Sequence, residues 1–172
     1  MESGNVAWIL VSAALVLFMT PGLAFFYGGM DRNRNVLNML MMNFYCVLII
    51  PVLWVIIGYS IAAGNFEAQW FGGFDAAFLG NQSLAVDGDD ASLLTIAFLG
   101  MFAVITPALI SGAVADRMKF AAWAVFVPIW VVLVFVPVFK WVYGGWAGQR
   151  GSIDFAGGTA IHVNAGIAAL AA

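Results

Sequence analysis

The sequence predicts an all-α, polytopic membrane helix bundle, and three features predict it. Hydrophobic residues make up 64% of the chain, charged residues only 9%, and the mean hydropathy is +1.01; an average soluble domain is roughly 25% charged. The apolar residues gather into runs of membrane length, about 20 residues each being enough to span a bilayer core. Prolines 21, 51, 107, 128 and 137 fall inside or at the edge of such runs, where a soluble helix would break but neighbouring helices in a membrane bundle satisfy the freed carbonyls.

Five transmembrane helices are expected, at about 6–27, 36–63, 91–115, 120–141 and 156–172, forming a single transmembrane domain over 1–172. The first run follows Glu2 and no Lys or Arg, so it lacks the basic start of a secretory signal and reads as a spanning helix. The second contains the lone cysteine, Cys46, which has no intrachain disulfide partner and reads as a small packed hydrophobe. The connection at 64–90 has no Lys or Arg and clusters Asp87, Asp89 and Asp90; without the spacing and terminal Glu of an EF-hand it reads as a solvated acidic linker. The third run places Phe98 and Phe102 four residues apart on one helix face, a spacing that fits core packing or the cap of a narrow path. The fourth ends in Trp141, Tyr143 and Trp146, whose rings suit both an interfacial aromatic belt and attraction of a small cation.

Orientation follows from the basic residues. Arg32 and Arg34 lie in the first connection, Arg117 and Lys119 in the third, none in the second, and Lys140 and Arg150 around the fourth helix. Four of six on one side make that side cytoplasmic and put the N-terminus outside. Five spans suit one half of an inverted repeat, because an odd helix number gives two halves opposite topology.

The fifth run carries the chemistry. In GGWAGQRGSIDFAGGTAIHVNAG, residues 144–166, a single histidine sits inside an apolar span. An ionisable group there costs several kcal/mol unless it is paired or faces an aqueous or protein-lined path. If the helix starts near residue 156, His162 lies about two turns in, with Gly158 and Gly166 four residues to either side and Ala165 and Ala169 extending a stripe of small residues. The spacing fits a GxxxG-like packing face and a lumen-lining imidazole equally. Asp154, eight residues before His162, suits a helix N-cap and the positive end of the helix dipole; shaping an outer cation site is compatible with that role.

Several function classes are excluded. No basic stripe is present to engage nucleic acid, and the net charge is −3. One His, one Cys and no carboxylates in metal-ligand spacing with them leave no metal constellation, and phosphate loops, dinucleotide fingerprints and nucleophile elbows are missing. No metal, no cofactor and no enzymatic chemistry are expected.

Three strings together resemble one family: TPGLAFFYGGMDRNRNVLNML at 20–40, FAVITPALISGAVADRMKF at 102–120 and DFAGGTAIHVNAG at 154–166. The chain is similar to the ammonium transporters of the Amt/Mep type over nearly its whole length, and resembles their N-terminal half. The resemblance implies an eleven-helix fold with a five-and-five inverted repeat, a homotrimer with one pore per subunit, and a location in the cell membrane. It implies ammonium or ammonia as substrate, the lipid bilayer as surroundings, and as a partner a cytoplasmic P-II-class nitrogen regulatory protein such as GlnK. By motif, Phe102 resembles the outer phenylalanine of a two-phenylalanine gate and Phe98 an aromatic of the external vestibule. His162 resembles the first of two pore histidines, and Asp154 the aspartate that organises the recruitment site. Tyr143 stands where the family's vestibule tryptophan usually precedes Gly-Gly, with one residue fewer before Asp154, and Trp146 is the alternative for that role.

The implied mechanism turns on dehydrating a cation the size of K⁺ without admitting K⁺. Aromatic faces attract NH₄⁺, a dry pore penalises permanent charge, and ammonium can shed a proton where potassium cannot. Neutral NH₃ then passes the histidine, an imidazole being suited to proton relay near neutral pH, and net electrogenic transport is expected. Two rivals stand beside this reading: an Rh-type channel for NH₃ or CO₂, disfavoured by the DFAGGTAIHVNAG string, and a non-transporting membrane sensor or assembly subunit.

Overall fold

The computed structural model describes residues 3–63, 68–80, 82 and 92–172. Four helices are long and apolar enough to cross a membrane: α1 (Ser3–Met30), α2 (Val36–Ala63), α3 (Leu93–Val114) and α4 (Phe120–Gln149). A shorter apolar helix, α5 (Gly158–Ala171), follows. Among the described residues there is no strand.

Helix α3 stands at the centre, packed on α1, α2, α4 and α5. Of its most apolar window 56% is buried, against 11% for α1, which lies at the periphery. Lipid supplies little hydrophobic drive for helices to associate, so close packing and interhelical hydrogen bonds do the joining. Trp123 Nε1 donates to the Met42 carbonyl at 2.8 Å and Tyr45 Oη to that of Ala124 at 2.9 Å, tying α2 to α4. Asn43 Nδ2 donates to Ser111 Oγ at 3.0 Å and Trp54 Nε1 to the Ile96 carbonyl at 3.0 Å, tying α2 to α3. Cys46 is fully buried in this core.

Two of the in-helix prolines are followed by widened turns. Wide π-type turns occupy Trp54–Gly58 and Val131–Phe135, each starting three residues after a proline, Pro51 and Pro128. A proline removes one backbone donor and crowds the carbonyl four residues earlier, which disturbs the local ladder.

Three expectations need correction. Lys140, read from the sequence as a charge near a connection, is fully buried within α4. The fourth helix continues past residue 141 through Tyr143, and after the Gly144–Gly145 break takes one more turn, Trp146–Gln149. The fifth begins at Gly158 with a wide turn, Gly158–Val163, so His162 sits about one turn below its start instead of two. Glu2 and the acidic cluster at Asp87, Asp89 and Asp90 lie outside the described residues.

At one end of the bundle the 31–35 and 115–119 connections are joined. Arg32 Nε lies 3.2 Å from Asp116 Oδ2, and Asn35 Nδ2 donates to Asp116 Oδ1. The Asn35 amide, with Asp31 and the guanidinium groups of Arg32 and Arg34, holds the Asp116 carboxyl below the usual carboxylate range. Partial loss of water raises that of Asp31, with Asp116 adding to the rise, while the Arg32 backbone N–H, 2.8 Å from Asp31 Oδ1, opposes it.

Candidate functional site: an aromatic cavity beside the fifth helix

At the opposite end from Arg32 and Arg117, α3, α4 and the segment leading into α5 border a half-open cavity of about 240 Å³. Phe98 and Phe102 come from α3, Phe139 and Tyr143 from α4, and Asp154 and Phe155 from the segment before α5. The i, i+4 spacings place each helical pair on one face. Phe98 and Phe102 meet edge to face at 5.0 Å between ring centroids, and Phe139 and Tyr143 lie 4.6 Å apart.

Asp154 holds the start of α5 from outside the formal cap position. Its Oδ2 accepts the backbone N–H of Thr159 at 3.0 Å and of Ala160 at 2.8 Å. Residue 157 occupies the cap itself, in the left-handed region with φ of 76°. A side chain there would also put a Cβ 2.3 Å from Ile161 Cδ1, so glycine alone lets the DFAGG turn deliver Asp154 to the helix start. Asp154 Oδ1 is buried and has no hydrogen-bond partner among the described residues. The N-cap expectation for Asp154 thus holds in function but not in position.

Four of the six candidate residues come together here: Phe98, Phe102, Tyr143 and Asp154 line one cavity. Trp146 does not share it. It stacks with Trp70 at 6.0 Å and Trp141 at 6.4 Å, under the Arg150 guanidinium at 5.6 Å. His162 also stands apart from the cavity lining. Its side chain is exposed on the bundle surface, on a face it shares with Gly158 and Gly166, while Ala165 turns inward and is buried. The small residues therefore do not form one face: Gly158 and Gly166 are exposed with His162, and Ala165 packs against this chain.

Sequence reasoning passed over Phe139 and Phe155. Phe139 stands four residues before Tyr143, the same spacing that drew attention to Phe98 and Phe102, and Phe155 follows Asp154 inside the quoted motif. Four ring-bearing residues, Phe98, Phe102, Phe139 and Tyr143, line the cavity together with Asp154, while Phe155 stands at its mouth and is 98% exposed; ring faces and a carboxylate are groups suited to a small cation.

The Ammonium Transporter Family model matches residues 7–172. The chain belongs to the ammonium transporter family. An ammonium transporter of Mycobacterium tuberculosis is 48% identical to it, covering 98% of this chain and 41% of that protein. The ammonium transporter Amt1 of Archaeoglobus fulgidus is 41% identical, covering 99% of this chain and 42% of that protein. The crystal structure of Candida albicans Mep2 superposes with a TM-score of 0.89 at 29% identity, covering 99% of this chain and 38% of that one. This member of the ammonium transporter family therefore spans about two fifths of the length of the curated relatives it matches. With four membrane-length helices it is a multi-pass membrane protein.

Proposed function

We propose that this chain supplies one wall of an ammonium conduit, in which the aromatic cavity recruits NH₄⁺ and the exposed face of α5 lines the path that NH₃ then follows. What carries this reading is the cavity itself, which brings aromatic rings from two helices together with a carboxylate that has one buried, unpartnered oxygen.

The ring faces of Phe98, Phe139 and Tyr143 attract the cation, and Asp154 supplies negative potential. Phe102 stands on the α3 side as the gate that separates the cavity from the interior. Beyond it the permanent charge of K⁺ has no compensation, whereas NH₄⁺ can leave its proton behind. His162 lines the path, polarising NH₃ or handling the transferred proton. Its exposure on the bundle surface supports this, because an imidazole in that position needs further protein across from it and not hydrocarbon. The relatives are more than twice as long as this chain, and further helices of a full-length protein would close the conduit on that side. The same reading puts the N-terminus outside and Arg32, Arg34, Arg117 and Lys119 in the cytoplasm. It makes the working assembly a homotrimer, open to a P-II-class regulator on the cytoplasmic face.

The test is His162→Ala in a protein of full family length containing this chain. Ammonium-evoked current in liposomes should fall at least about tenfold, or lose its selectivity over K⁺, while assembly survives. Wild-type current and selectivity would reduce His162 to a packing residue and remove the conduit from α5.

A further inference from the structure

We infer that Trp54, which does not line the cavity, is a positioning residue that holds its α4 wall at a set distance from its α3 wall. The inference rests on the cavity being the ammonium recruitment site.

Trp54 is 3% exposed and lies behind Phe139, with ring centroids 5.9 Å apart and planes at 79°. Phe139 in turn contacts Tyr143 at 4.6 Å, and both line the cavity. The indole is therefore one contact removed from the cavity.

Its orientation is fixed from several sides. The indole N–H donates to the Ile96 carbonyl at 3.0 Å, two residues before Phe98 on α3. Turning the ring away would leave a buried donor unpaired. On the same helix, a Cβ at residue 100 would come within 2.9 Å of Trp54 Cδ1 and 3.2 Å of Nε1, so α3 admits the indole only because that residue is Gly100. On its own helix, a Cβ at Gly58 would lie 3.0 Å from Trp54 Cε3. Trp54 begins the wide turn Trp54–Gly58 and its carbonyl accepts the Tyr59 N–H.

A ring clamped in this way transmits its plane to an edge-to-face neighbour. Trp54 is hydrogen-bonded to the helix that carries Phe98 and Phe102, and touches the ring that carries the opposite wall. It therefore sets the gap between the two walls. A site that binds a bare small cation through ring faces needs that gap held within about half an ångström.

Two variants perturb the indole independently. Trp54→Phe removes the donor and one ring while keeping an aromatic at the site; Gly100→Ala leaves Trp54 in place and pushes it from the α3 side. In liposomes carrying the protein of full family length, both should raise the half-saturating ammonium concentration by about tenfold and leave maximal current within about twofold, the signature of lost cation binding. In a Phe139→Leu background, Trp54→Phe should add less than about threefold, because residues acting through one contact are not additive. Thermal midpoint and gel-filtration profile report folding separately. Folded variants with unchanged half-saturation, or effects that multiply fully with Phe139→Leu, would overturn the inference, and so would failure of both variants to assemble, which would make Trp54 a folding residue. Absence of ammonium current in the parent protein is a different result: it refutes the functional reading on which the inference rests.

Discussion

Asp154 Oδ2 lies 2.8 Å from the backbone nitrogen of Ala160, so a carboxylate in the cavity wall also holds the first turn of the helix that carries His162. The cavity wall and the start of α5 are built on one side chain. Asparagine separates the two roles, since it keeps an oxygen acceptor and loses the charge. Asp154→Ala should destabilise the protein by about 1–2 kcal/mol, the usual cost of losing a helix cap. Asp154→Asn should stay folded, with a thermal midpoint near that of the parent, yet require more ammonium for half-maximal current. Wild-type transport by the asparagine variant would leave capping as the whole role of Asp154.

Gly157 is the hinge of the same motif, and its demand is steric. Gly157→Ala has to place a side chain at a φ of 76° and against Ile161 Cδ1. The backbone term alone is about 1–2 kcal/mol, so the thermal midpoint should drop measurably. Measured against Ile161→Ala alone, which has its own cost as a buried residue, adding Gly157→Ala should then cost only the backbone term. Equal stability of Gly157→Ala and the parent would mean that the DFAGG turn does not depend on left-handed backbone.

The contact between the 31–35 and 115–119 connections should depend on pH. Asp116 has a lowered carboxyl pKa in the folded protein, so the unfolded chain binds more protons in the window between the two values. Its contribution to stability is therefore complete above the usual carboxylate value of about 3.9 and is lost as pH falls through the lower, folded value. Asp31 runs the other way, because its value is raised: its folded form binds more protons, and its contribution is lost as pH rises through the folded value. The Arg32–Asp116 contact should therefore persist at neutral pH and weaken in acid. Spin labels at Asn33→Cys and Arg117→Cys should report a longer distance at low pH, and Asp116→Asn should show that longer distance throughout. A distance unaffected by acid and by Asp116→Asn would show that helix packing alone joins the two connections.

The orientation can be read by labelling. Cys46 is fully buried, which leaves a quiet background for introduced thiols. In intact cells a membrane-impermeant maleimide should modify Ser152→Cys and spare Asn33→Cys. The reverse pattern would invert the topology and move the aromatic cavity to the cytoplasmic side.

By itself the sequence determined the class of the fold and most of the cavity. Membrane-length apolar runs form helices because lipid offers backbone groups no other partner, so composition and length were sufficient to reveal α1 to α4. Phe98 with Phe102, and Asp154 with its glycines, were legible because i, i+4 spacing and capping chemistry are local rules. Only the tertiary structure decided which of these features meet. Tyr143 rather than Trp146 lines the cavity, because the break at Gly144–Gly145 sends Trp146 to a separate stack with Trp70 and Trp141. Lys140 lies inside the bundle, and His162 sits one turn into α5, whose first turn, Gly158–Val163, is wide, and faces away from the core. Those placements depend on helix-to-helix register and on departures from 3.6 residues per turn, and neither is encoded within a window as short as a motif.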